Sequence, residues 1–91
     1  MIDRQAAALA DPSRRMLLRA ILALPGVTTG ELAGVLPTVT RWTVTKHLDV
    51  LRSAGLVKSL PDGRRRRHYG DADALAPLAE WIAEARALRP G

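Results

Sequence analysis

From Thr40 onward the chain runs through a polar-fronted segment (Thr40-Arg41-Trp42-Thr43), a glycine at Gly55, a short apolar run from Leu56, the turn signal Pro61-Asp62-Gly63, and the arginines Arg64 to Arg67. Few folds accommodate that order. Thr40 suits a helix N-cap, Val44, Leu48 and Leu51 recur at helical spacing, and Gly55 suits the left-handed residue that ends a helix. Residues 56–60 and 65–69 read as strands around Pro61-Asp62-Gly63-Arg64, an Asp-Gly hairpin signal. A hairpin so cationic and so poor in apolar residues is expected to project. A helix followed by a basic hairpin predicts a winged helix-turn-helix, a form suited to reading duplex DNA.

The preceding residues supply the rest of such a unit. Asp11-Pro12 pairs an N-cap with proline at the first helical position, and Leu17, Leu18, Ile21 and Leu22 follow at helical spacing. A helix over 12–23 is predicted, stopped by Leu24-Pro25-Gly26. Residues 2–10 form a candidate short helix whose alanines permit close approach of a partner. Thr28 and Glu31 match a capping box for a helix over 29–36, with Leu32, Val35 and Leu36 inward and Pro37 ending it. A tight turn through Thr38 and Val39 joins it to the next helix, making 29–54 the helix-turn-helix and 56–69 the wing. A last helix is expected over 71–88, its stripe of Leu75, Leu78, Ile82 and Ala85 widened by Ala74, Trp81 and Leu88. That apolar face exceeds what one small core requires, so 1–10 and 71–88 are expected to pair two copies, through Ile2, Ala6, Leu9, Leu78, Trp81, Ile82 and Ala85. The expected fold class is mainly α with a small β-hairpin wing, five helices, in one domain over 1–91.

Charge is concentrated where that architecture would use it. Residues 41–67 hold eight basic side chains against Asp49 and Asp62, a net +6, whereas the remainder holds six basic and seven acidic, a net −1. A localised positive field attracts a polyanion. With three aromatic residues and no Phe, the chain is a poor candidate for stacking unpaired bases, so duplex is favoured over single strand. The absence of cysteine excludes a disulfide framework and a thiolate metal site. Nothing supports an enzyme: there are two isolated histidines, no glycine-rich phosphate loop, and Glu80 and Glu84 lie four apart on a polar helix face. No apolar run approaches the roughly 20 residues that span a bilayer, and no signal-type segment opens the chain. The expectation is a cytoplasmic, nucleoid-associated protein with no membrane partner.

Leu9-Ala10-Asp11-Pro12-Ser13-Arg14-Arg15, Thr29-Gly30-Glu31-Leu32-Ala33 and residues 44–57, followed by Gly63-Arg64-Arg65-Arg66, resemble the ArsR family of bacterial winged-helix repressors. The similarity spans nearly the whole chain. It implies a homodimer, paired through its first and last helices, that sits on an inverted repeat in an operator and usually represses. It also implies base and phosphate contacts for Arg41, Thr43, Thr45 and Lys46, a recurrent family histidine at His47, and a wing carrying Arg64 to Arg66. The chain departs from the family where metals bind. The segment from Thr28 to Ala33 has no thiol, and no histidine follows Asp71 and Asp73 in the last helix. No metal and no cofactor are expected, and the effector is left unassigned.

Individual side chains have more than one available use. Arg41 is favoured for guanine O6 and N7, and Lys46 for a base or a phosphate. Thr40 caps its helix and can also donate to phosphate. Trp42 can meet a thymine methyl, lie on a sugar, or pack on the preceding helix. His47 can donate to phosphate or serve the core, and His68 is assigned a plain surface role. Arg64, Arg65, Arg66 and Arg67 can enter a minor groove or lie along the backbone. A winged-helix module for protein or RNA contacts is the alternative.

Overall fold

The computed structural model describes residues 2–90, so Met1 and Gly91, the ends of the expected 1–91 domain, lie outside the described residues. The order is α1 (Ile2–Leu9), α2 (Pro12–Ala23), β1 (Val27–Thr28), α3 (Thr29–Ala33), α4 (Arg41–Ser53), β2 (Val57–Asp62), β3 (Arg65–Gly70), a 3-10 turn (Ala72–Leu75) and α5 (Ala76–Ala87). This is the mainly helical winged helix-turn-helix expected, with five α-helices among the described residues.

Caps set the helix boundaries. Asp11 Oδ1 accepts from the N–H groups of Ser13 (2.7 Å) and Arg14 (3.2 Å), and Pro12 opens α2, which spans the predicted residues. Thr28 and Glu31 complete the capping box of α3: Glu31 N–H donates to Thr28 Oγ1 (3.2 Å) and Thr28 N–H to Glu31 Oε1 (2.9 Å). That helix ends at Ala33, short of the expected residue 36. Pro37 has no N–H to offer the Ala33 carbonyl and disfavours helical backbone at Leu36. The connection to α4 is therefore residues 34–40, longer than the tight turn expected. Thr40 caps α4 by accepting from Thr43 N–H at 3.1 Å.

The wing differs from expectation in register and in strand number. Asp62 is paired with Arg65 inside the ladder, leaving Gly63-Arg64 as a two-residue turn. Gly63 has φ 61° and Arg64 no positive φ, the φ pattern of a type II′ turn, whose twist matches the flanking strands. The sheet order is β1-β3-β2, so the arginine-rich strand is central, paired on one side with Val27 and Thr28. Only the far end of the hairpin projects. Its base joins the core through Leu56 and Val57, which pack with Leu17, Leu18 and Ile21 of α2, Leu32 of α3, and Val44, Leu48 and Leu51 of α4, and His68 is buried as well.

The expected helix over 71–88 is interrupted. Asp71 Oδ1 accepts from Ala74 N–H (3.3 Å), capping the 3-10 turn, and α5 begins afterwards at Ala76. Pro77 is the cause, because it lacks the N–H that a continuous helix would direct to the Asp73 carbonyl. No residue of α5 is buried: Trp81 is 56%, Ile82 46% and Leu88, just beyond the helix, 84% exposed. The chain is extended, 54 × 25 × 20 Å, and its radius of gyration of 14.6 Å exceeds the roughly 12 Å of a compact chain this long.

Candidate nucleic-acid interface

Helix α4 turns Val44, Leu48 and Leu51 into the core, which directs Arg41, Trp42, Thr45 and Lys46 outward. At its front, Thr40 and Thr43 share a hydroxyl hydrogen bond (3.1 Å), and Thr45 Oγ1 donates to the Arg41 carbonyl (3.1 Å). The Thr45 oxygen therefore keeps its acceptor capacity on the exposed side. Trp42 is 69% exposed, so it does not plug the contact with α3. Instead its ring lies beneath Lys46, with Nζ 5.2 Å from the ring centroid, a cation–π contact that restrains the lysine. Further along, Arg52 is paired with Asp49, which neutralises one charge of each sign.

The wing completes a basic groove. Arg41, Arg65 and Arg66 line a cleft of about 510 Å³ together with Thr28, Thr29, Gly30 and Glu31 at the start of α3. Arg41 leans toward α3, its Nη2 3.7 Å from the Cβ position of a side chain at Gly30. Glu31 is occupied by its capping box: the Thr28 N–H and then the Thr28 hydroxyl hold its carboxyl below the ordinary glutamate range, with Arg67 and Arg65 adding to the shift. Helix α4 and the wing thus bring three guanidinium groups to one concave surface. Arg64 is exposed at the turn beside it.

Two expected contacts are engaged inside the molecule. Arg67 Nε is paired with Asp62 Oδ2 at 2.6 Å, and its Nη1 donates to the Gly26 carbonyl at 2.9 Å. The hydrogen bond and charge of Asp62 raise the Arg67 pKa further. His47 is half-buried, its Nδ1 3.5 Å from Arg14 Nη1 on α2.

His68, assigned above to the surface, is buried at 1% exposure on β3. Its Nε2 is bonded to Thr29 Oγ1 (2.8 Å) and its Nδ1 to Ser59 Oγ (2.7 Å). Strand alternation offered the only signal, since Arg66, His68 and Gly70 share one face and the neighbouring arginines suggested solvent. Among the described residues no group of three or more His, Cys, Asp or Glu could hold a metal ion, and no helix is long and apolar enough to cross a membrane.

Residues 9–59, more than half of the chain, match the helix-turn-helix domain family. The chain is 43% identical over 76 residues to the HTH-type transcriptional regulator Rv2034 of Mycobacterium tuberculosis, covering 84% of this chain and 69% of that protein. A crystal structure of an ArsR family transcriptional regulator superposes with TM-score 0.84 at 27% identity, covering 96% of this chain and 88% of that one. An ArsR-like transcriptional regulator from Rhodococcus sp. RHA1 gives 0.77 at 30% identity, with 93% and 78% covered. These relatives are regulators by name, not enzymes. The basic groove, the winged fold and these similarities converge: the chain belongs to the ArsR-like family of winged helix-turn-helix, DNA-binding transcriptional regulators.

Proposed function

We propose that the protein is a homodimeric repressor that binds an inverted-repeat operator in the bacterial cytoplasm, on the nucleoid. The observation that carries the reading is the convergence of Arg41 from the front of α4 with Arg65 and Arg66 from the wing on one groove. Arg41, Thr43, Thr45 and Lys46 meet base edges and the adjoining backbone, while the wing arginines supply affinity through phosphates or a narrow minor groove. The exposed Trp81 and Ile82 on α5, which packs against α1, support pairing of two copies through these helices, with Ile2, Ala6, Leu9, Leu78 and Ala85 as the other proposed members of the seam. Two-fold pairing sets the recognition helices one helical turn of DNA apart, about 34 Å, or a multiple of it.

A mobility-shift assay with DNA from upstream of the gene, random duplex and structured RNA tests the reading. A preference of at least about 10³ for one inverted repeat is the expected result. Equal binding to all three would sink it and favour a module for protein or RNA contacts.

A further inference from the structure

The buried histidine has no part in the contacts assigned so far, yet it touches three of the elements that shape the groove. His68 sits on β3, two residues from Arg66; Ser59 lies opposite it on β2; Thr29 is the first residue of α3 and itself lines the groove. Both ring nitrogens are used, one by each hydroxyl. The backbone reinforces the position, since Gly26 N–H donates to the His68 carbonyl at 2.9 Å and Val27 of β1 is paired with His68.

We propose that His68 is a positioning residue for DNA binding: its imidazole brackets Thr29 to Ser59 and so fixes the wing arginines Arg65 and Arg66 relative to Arg41. A two-stranded wing tip is a weak structure by itself, and the hydrophobic contacts at its base are non-directional. Two short hydrogen bonds to one planar ring add the direction those contacts lack. A wing held in place before DNA arrives has less conformational freedom to lose on binding. The surroundings favour the neutral ring. Burial pushes the His68 pKa below the ordinary histidine value, and Arg52 on α4 and Arg66 on β3 push it the same way. Its partners on α3 and β2 are the uncharged hydroxyls of Thr29 and Ser59, and β1 presents Val27.

This inference rests on the groove being the DNA-binding surface, and the experiment separates the two. The probe is a duplex selected from a random pool on the wild-type protein. Its affinity and salt dependence are measured for wild type, His68→Phe, Ser59→Ala and Ser59→Thr, with the fold of each checked by circular dichroism and thermal melting. Ser59→Ala is expected to stay folded and bind roughly tenfold more weakly with the salt dependence unchanged, since the same phosphates are met once the wing is ordered. Ser59→Thr, which restores a hydroxyl, should bind as wild type does. His68→Phe should match Ser59→Ala or exceed its loss; should it fail to fold, the Ser59 pair decides the matter. Folded Ser59→Ala with wild-type affinity would overturn the positioning role alone. A wild-type chain that retains no duplex would overturn the DNA-binding groove and this role together.

Discussion

Leu22 on α2 occupies the space in which a side chain at Gly70 would begin: a Cβ there would lie 2.5 Å from Leu22 Cδ2 and 2.9 Å from Cγ. The end of the central strand and α2 therefore meet through backbone on one side and leucine on the other. Gly70→Ala is expected to cost about 1–3 kcal/mol, the usual penalty of overpacking, read as a lower urea midpoint. Leu22→Ala in the same chain should recover part of that loss in a double-mutant cycle, and strict additivity would argue against the clash.

Acid should weaken the fold through His68. Its folded-state pKa lies below the ordinary value of 6.5, so the unfolded chain takes up the proton first as pH falls. The contribution is complete above that value and is lost as pH drops from it toward the lower folded-state pKa, at no more than about 1.4 kcal/mol per pH unit. Urea unfolding between about pH 7.5 and about pH 5.5 should show this slope, and His68→Phe should flatten it.

Arginines of the wing divide by partner. Arg67 is tied to Asp62 and the Gly26 carbonyl, so Arg67→Ala should lower the melting temperature while leaving the salt dependence of duplex binding unchanged. Arg65→Ala should leave melting unchanged and reduce the salt slope by about 0.9 if it meets one phosphate. Reversed results would exchange their roles.

Pairing through α5 has a direct test. Placing a charge at the exposed Trp81, as in Trp81→Asp, should yield folded monomers by light scattering at concentrations where the wild type is dimeric. An unchanged dimer would move the seam elsewhere. Arg41→Ala, by contrast, should keep the dimer and relax sequence choice, by about 1–3 kcal/mol of discrimination if it grips a guanine.

The features legible in the sequence were those encoded by neighbouring residues. Asp11 with Pro12, Thr28 with Glu31, and Thr40 with Thr43 each carry a cap within three positions, and α2 emerged with its observed bounds. β1 leaves no signal in the sequence, because Val27 and Thr28 are too few to show a period and Thr28 also caps α3. Pro77 stood inside an apolar stripe whose spacing concealed the missing donor. His68 is not legible for a different reason: its partners lie 39 and 9 residues away, and only the folded sheet and α3 bring their hydroxyls to its ring. The four arginines looked equivalent as a run, and the tertiary contact with Gly26 singled out Arg67.

Arg14 takes on a wider meaning in this setting. Its Nε and Nη2 hold the Ala8 and Ala7 carbonyls at the end of α1 (2.6 and 3.1 Å), while its Nη1 reaches His47 in the middle of α4. One side chain thus fastens the helix proposed to meet a partner subunit to the helix proposed to enter DNA. Loss of the Arg14 side chain would therefore release the end of α1 and the contact with His47 together.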